Sequence, residues 1–99
     1  MMAHSRREAV RATRQITIVN KLGLHARPAA QFVRRANAFR SEIWIMSKAG
    51  RFSALSLIDV MRANLDCGAV ATLEAHGTDA DEAVERLAQL VKELPDYDD

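Results

Sequence analysis

Hydrophobic and polar residues follow two patterns along this chain, and together they predict seven secondary-structure elements. Strict alternation, which is typical of half-buried strands, occupies a stretch from Gln15 and about residues 41–47, 51–54 and 70–75. Apolar residues three and four positions apart, which are typical of amphipathic helices, occupy about residues 26–38, 57–63 and 80–94. Strands that alternate in this way suit an antiparallel sheet with helices on one face. The sequence therefore predicts an α+β domain with the order βαββαβα.

Three segments of the chain differ in charge and periodicity. Residues 1–14 form a basic extension without clear periodicity, residues 15–95 carry the predicted elements, and residues 96–99 form an acidic tail. A chain of 99 residues can bury one hydrophobic core but not two. We therefore expect one domain with an appendage at each end.

The composition excludes several classes of function. The net charge of +1 is too small to indicate nucleic-acid binding, and no aromatic residues are interleaved with the arginines of the extension. No apolar run approaches the roughly 20 residues that cross a membrane. The basic start lacks a signal-peptide pattern, so the cytoplasm is the expected location. The sequence has neither a glycine-rich phosphate loop nor a zinc-ligand cluster, and we expect no cofactor or metal.

The candidate chemistry lies in residues 23–32, GLHARPAAQF, where a loop leads into the first predicted helix. His25 falls at the N-cap or beside it. Backbone N–H groups in the first turn of a helix have no internal partner, so they favour an anion at that point. The amides of Ala26 and Arg27 are therefore expected to bind phosphate oxygens, since Pro28 is tolerated in the first turn. The same partial charge favours the neutral imidazole, whose lone pair is nucleophilic, and Arg27 adds a planar cation that fits phosphate.

The segment GLHARPAAQFV resembles the active-site signature of the histidine-containing phosphocarrier (HPr) family, and the likeness covers about residues 15–94. The resemblance implies an open-faced β-sandwich, a four-stranded antiparallel sheet with three helices on one face. It also implies that His25 accepts a phosphoryl group on Nδ1 from phosphorylated enzyme I and passes it to an enzyme IIA of a bacterial phosphotransferase system. Arg27 would assist the transfer. Such a protein is a stoichiometric carrier that acts between larger enzymes, not a stand-alone catalyst.

Partner docking in the family uses the first helix and the short second helix. The resemblance therefore implies a docking surface with an apolar centre and basic flanks at the corresponding positions of this chain. These residues are Ala26, Arg27, Ala30, Arg34, Leu57, Ile58 and Arg62. Asp59 stands where sugar-type members commonly have a basic residue, and this difference is expected to affect which type of enzyme I the protein prefers. The residues NKLG before the histidine and the acidic end resemble nitrogen-type relatives, whereas residues 31–33 are common among sugar-type ones. The sequence does not decide between the sugar-uptake branch and the nitrogen-related branch of the phosphotransferase system.

Two helix starts carry capping signals. Ser56 precedes the second helix with Asp59 three residues on, and either Thr78 or Asp79 can cap the third helix. Ser56 also matches the serine that a dedicated kinase phosphorylates in some members of the family. Because an acid at position 59 would repel a phosphoserine, the sequence favours a cap and leaves phosphorylation by an HPr kinase as the alternative.

A function of a different class is a regulatory interaction module that keeps the fold and transfers no phosphoryl group. The feature that would indicate such a module is the loss of the nucleophile. Both His25 and Arg27 are present, so we favour the phosphocarrier.

The uncovered face of the predicted sheet raises a separate question. Alternation directs six residues at the helices, namely Ile16, Ile18, Ile43, Ile45, Ala71 and Leu73. It then sends four apolar side chains to the other face, namely Val19, Trp44, Met46 and Val70. Large exposed apolar patches usually mark a contact surface. We therefore expect Trp44 to be covered, either by the N-terminal extension folding back through Val10 or by a second copy of the chain.

Overall fold

The computed structural model describes residues 10–96. All seven predicted elements are present in the predicted order, as β1 (Val10–Thr17), α1 (Ala26–Ala36), β2 (Glu42–Ser47), β3 (Gly50–Ser53), α2 (Leu57–Arg62), β4 (Val70–Gly77) and α3 (Ala80–Glu93). The four strands form one antiparallel sheet with the spatial order β1-β4-β2-β3. This confirms the predicted four-stranded sheet with three helices. Within the described part of the chain, no helix is long and apolar enough to cross a bilayer.

The hydrophobic core lies between the sheet and the helices. The six residues predicted to face the helices are all buried, namely Ile16, Ile18, Ile43, Ile45, Ala71 and Leu73. From the helix layer, Phe32 of α1, Val60 of α2 and Leu87 of α3 are completely buried. Full burial of such a side chain contributes about 1.5–3 kcal/mol, so these contacts fix the helices on the sheet.

The first strand begins earlier than the sequence pattern indicates. β1 pairs with β4 along its whole length, so residues 10–14 extend an edge strand. The prediction that the strand starts at Gln15, with the preceding residues as an appendage, was wrong for this stretch. The core-facing positions there include the small Ala12 and the charged Arg14, which weaken the apolar alternation. Arg14 is half-buried and pairs with Glu85 of α3, so an ion pair stands where the pattern lacks an apolar residue.

Asp79 precedes α3, but the predicted side-chain cap is absent. The Asp79 side chain makes no capping hydrogen bond to the helix. Its carboxylate instead accepts hydrogen bonds from the backbone N–H of Arg40, at 2.9 Å, and from the hydroxyl of Ser41, at 2.6 Å. Burial raises the pKa of Asp79, but the hydrogen bonds outweigh burial and the pKa lies below its ordinary value of 3.8. Asp79 therefore ties the start of β2 to the start of α3.

Trp44 lies on the face of the sheet that the helices leave uncovered. The indole is partly buried, and Arg51 of β3 covers it, with the guanidinium carbon 3.9 Å from the ring centroid. Val10 packs against the core on the opposite face, so the prediction that the chain covers Trp44 through Val10 was wrong. The remainder of the extension, residues 1–9, lies outside the described residues. Covering by a second copy of the chain stays a prediction.

Candidate functional site

His25 occupies the N-cap position of α1. Its backbone is extended, with φ of −87° and ψ of −163°, and its carbonyl oxygen accepts from the N–H of Ala29 at 2.8 Å. His25 is partly buried, and its side chain makes no capping hydrogen bond. The first turn of α1 contains no acidic residue, so no carboxylate of that turn competes with an anion for the helix N-terminus. The side chain predicted to be the nucleophile therefore stands at a helix start that favours an anion.

A tight turn leads the chain into His25. The N–H of Gly23 donates to the carbonyl oxygen of Asn20 at 3.0 Å, and Gly23 has a φ of +76°, which favours glycine. A Cβ at this position would lie 2.5 Å from the carbonyl oxygen of Leu65. The N–H of Leu24 donates to that same oxygen at 2.8 Å. Glycine therefore allows the loop to close on the connection between α2 and β4.

The other predicted site residues of α1 share one side of the helix. Ala26 and Arg27 are its first two residues, and both are exposed. Ala30 and Arg34 follow at intervals of three and four residues, which brings them to the same face. Because Pro28 has no N–H, the amides of Ala26 and Arg27 are the backbone donors that the first turn offers.

The short helix α2 places exposed apolar side chains beside α1. Leu57 is 41% exposed and Ile58 is 70% exposed, and Arg62 is an exposed cation in the last turn. α2 packs against α1. The predicted docking residues of the two helices therefore belong to two neighbouring elements, and they combine an apolar centre with basic flanks.

The sequence analysis missed two exposed apolar residues next to the histidine. Leu22 is 61% exposed and Met61 is 42% exposed, and both line a shallow pocket of about 120 Å³ together with His25. Leu22 stands in a turn where an apolar side chain has no core to enter, and this signal was available from the sequence. The contribution of Met61 depends on how α2 approaches the loop, which local patterns do not specify.

Ser56 caps α2, as predicted. Its Oγ accepts a hydrogen bond from the N–H of Asp59 at 3.3 Å. The N–H of Ser56 donates to the carbonyl oxygen of Ser53 and not to the Asp59 carboxylate, so only one half of the capping box is formed. The hydroxyl therefore has a structural role at the start of the helix.

Other histidine and cysteine side chains have different surroundings. Nε2 of His76 lies 2.6 Å from Oε2 of Glu74, and Nε of Arg11 lies 3.0 Å from the same oxygen. The hydrogen bond from His76, followed by that from Arg11, lowers the pKa of Glu74. Cys67 is exposed in the connection between α2 and β4. Among residues 10–96, no group of three or more histidine, cysteine or acidic side chains could hold a metal ion.

A family model described as the PTS HPr component phosphorylation site matches residues 12–93. The chain belongs to the HPr family. The resemblance found in the sequence is thereby confirmed, as is the expected class of function, a phosphocarrier of the phosphotransferase system.

Known HPr proteins are similar to this chain over most of its length. The phosphocarrier protein HPr of Vibrio cholerae serotype O1 is 43% identical over 81 residues, which are 82% of this chain and 95% of that protein. The HPr-like protein Crh of Bacillus subtilis is 41% identical over 73 residues, or 74% of this chain and 86% of that protein. The crystal structure of HPr-C-His from Thermoanaerobacter tengcongensis matches with a TM-score of 0.79 at 40% identity, and the match covers 82% of this chain and 91% of that one. The open-faced β-sandwich is thus confirmed as an HPr fold.

Proposed function

We propose that His25 is the phosphoryl acceptor of this phosphocarrier, that it receives the group from phosphorylated enzyme I, and that it passes the group to an enzyme IIA. The observation that carries the proposal is the position of the imidazole at the N-cap of α1, where it makes no capping bond and meets no acidic residue of the first turn. A phosphoryl group on this ring would face the amides of Ala26 and Arg27, which favours its negative charge.

The bonds that form and break in the transfer involve only the two reacting side chains and the phosphoryl group. The lone pair of Nδ1 on the neutral His25 ring forms a bond to phosphorus, while the bond from phosphorus to the enzyme I side chain breaks and its electron pair returns to that side chain. In the second transfer, His25 is the leaving group and a nucleophile of enzyme IIA is the acceptor. Charge spreads over the phosphoryl oxygens in the transition state, and the guanidinium of Arg27, two residues after His25, would stabilise that charge because it is always charged and planar.

The surface around His25 supports a docking role for α1 and α2. Its apolar part consists of exposed side chains of α2 and of the turn before α1, namely Leu22, Leu57, Ile58 and Met61. Its basic part consists of Arg27, Arg34 and Arg62. An apolar centre with a charged rim suits a transient interface that uses charge to speed encounter. The partners' matching surfaces should therefore be acidic around an apolar centre.

A mass measurement after incubation with enzyme I and phosphoenolpyruvate tests the acceptor. Wild-type protein should gain one acid-labile, alkali-stable phosphoryl group, and His25→Ala should gain none while it keeps its circular dichroism spectrum. His76→Ala is the matched control, since it removes another partly exposed histidine, and it should be labelled like the wild type. Labelled His25→Ala would contradict the proposal. Wild-type protein that neither sugar-type nor nitrogen-type enzyme I can label would favour the regulatory module instead.

A further inference from the structure

The end of α3 and the residues after it are bonded to the loop between β1 and α1. Asn20 is only 2% exposed, and its Nδ2 donates to the carbonyl oxygens of Leu94, at 3.1 Å, and of Pro95, at 3.0 Å. The next residue, Lys21, donates its backbone N–H to Oδ1 of Asp96 at 2.7 Å. Three consecutive residues of the C-terminal segment therefore hold two consecutive residues of the loop.

These bonds fall on the turn that precedes His25. Asn20 and Lys21 are the first two residues of that turn, which the N–H of Gly23 closes. Gly23 itself lies against Leu65, so the turn is held by the α2–β4 connection on one side and by the C-terminal segment on the other. Within residues 10–96, the buried Oδ1 of Asn20 has no hydrogen-bond partner. The amide is thus kept in place at a desolvation cost, which its two donated bonds must outweigh.

We propose that Asp96 is a positioning residue for phosphoryl transfer, since it fixes, together with Asn20, the turn that sets the orientation of His25. The inference rests on the proposed role of His25 as the acceptor. Transfer between two proteins needs the acceptor nitrogen in line with phosphorus, and a displacement of about 1 Å is enough to slow such a step severely. The bond from the Lys21 amide ends on a carboxylate, which makes it charge-assisted and therefore stronger than a neutral one.

Transfer kinetics test the inference with the full-length variants Asp96→Ala and Asp96→Asn. The matched control is Asp81→Ala, which removes the same charge from an exposed position at the other end of α3. Under single-turnover conditions with phosphorylated enzyme I, Asp96→Ala should lower the maximal rate about tenfold and change the half-saturating enzyme I concentration less than about twofold. Asp96→Asn should restore most of the rate, because its amide oxygen still accepts from Lys21. An unchanged rate in Asp96→Ala, an equal loss in the control, or no rescue by Asp96→Asn would overturn the proposal.

A spectroscopic measurement without enzyme I separates this inference from the role of His25 as acceptor. In ¹H–¹⁵N spectra, the resonance of the Lys21 amide should shift in Asp96→Ala, because the substitution removes the oxygen that accepts its hydrogen bond. Asp96→Ala should also move the resonances of the His25 ring, whereas Asp81→Ala should leave them in place. Ring resonances that stay unchanged in Asp96→Ala would contradict the positioning role. Ring resonances that move in a protein that enzyme I never labels would contradict the acceptor role, and would show only that Asp96 orients the His25 ring.

Discussion

The guanidinium of Arg51 lies over the indole of Trp44, with 3.9 Å between the guanidinium carbon and the ring centroid. The two residues stand on the paired strands β2 and β3, where Trp44 is opposite Ser53 and Arg51 is opposite Met46. Arg51 is therefore a diagonal cross-strand neighbour of Trp44 on the same face of the sheet. A side chain of the sheet itself thus covers the ring that the sequence left exposed.

Removal of this cation should expose Trp44. Arg51→Ala should shift the tryptophan emission to longer wavelength and lower the free energy of unfolding by about 0.5–1 kcal/mol, which is the usual strength of an exposed cation–π contact. Arg51→Lys keeps the charge but loses the planar stack, so its emission wavelength and its free energy of unfolding should lie between those of the wild type and of Arg51→Ala. Arg62→Ala removes an exposed arginine of α2 as a control. Unchanged emission in Arg51→Ala would mean that another group covers the ring.

Truncation of residues 1–9 tests the rest of the expectation about Trp44, because it leaves β1 complete. If the extension contributes to the cover, its removal should expose the indole of Trp44 to water and shift its emission to longer wavelength. If a second copy covers the ring, the solution mass should correspond to a dimer and the emission should change on dilution. A monomer with the same emission before and after truncation would leave Arg51 as the cover.

Local sequence patterns were sufficient for much of the fold. The apolar spacing of α3 and the proline after it placed that helix within a residue of its observed ends, because a long amphipathic stripe and a helix breaker are both local signals. The first half of β1 was not predicted, because Ala12 and Arg14 weaken its apolar alternation. Pairing with β4 nevertheless keeps this half in the sheet. Periodicity thus failed where a small buried residue and an ion-paired arginine occupy the core-facing positions, and where pairing with β4 continues the strand.

Features of the candidate site and of the fold also differ in how far they depend on neighbours in sequence. The position of His25 at a helix start depends on neighbours in sequence, so the sequence predicted it. The bonds of Asp79 to Arg40 and Ser41 connect positions 39 and 38 residues apart, and the bond of Lys21 to Asp96 spans 75 residues. No local pattern specifies such contacts, because they depend on how the packed elements meet.

Arg27 should affect phosphoryl transfer more than stability. Arg27→Ala should slow transfer from phosphorylated enzyme I by about tenfold to a thousandfold, comparable to the loss of one charge-stabilising donor in other enzymes. Because the residue is exposed, the melting temperature should change little. Rapid-quench measurement of labelled protein gives the rate, and Arg35→Ala, in the last turn of the same helix, is the control. A rate equal to that of the wild type would leave the backbone amides as the phosphate-binding groups.

The cap that Ser56 provides should be measurable as stability. Ser56→Ala removes the acceptor of the Asp59 N–H and should cost about 1 kcal/mol in urea denaturation. Ser56→Thr keeps a hydroxyl at the N-cap and should retain most of that energy. If Ser56→Ala unfolds at the same urea concentration as the wild type, the hydroxyl has no structural value, and a regulatory role for this serine would gain weight.

The carboxylate of Asp79 should make the stability of the fold depend on pH in the acid range. Its pKa in the folded protein lies below the ordinary value of 3.8, so the unfolded chain binds the proton more readily than the folded one. The stabilisation is therefore complete above about pH 5 and is lost as the pH falls through the folded pKa. Asp79→Asn, which removes the charge that Arg40 and Ser41 bind, should cost about 1–2 kcal/mol at neutral pH.

The difference in unfolding free energy between wild type and Asp79→Asn should shrink toward zero as the pH falls below the folded pKa of Asp79, because protonation then removes the same charge from the wild type. Asp81→Asn is the matched control, since Asp81 is in the first turn of α3 and shares the effect of the helix dipole. Its difference from the wild type should be small across the same range. A difference for Asp79→Asn that is independent of pH would show that the shape of the side chain, and not its charge, ties β2 to α3.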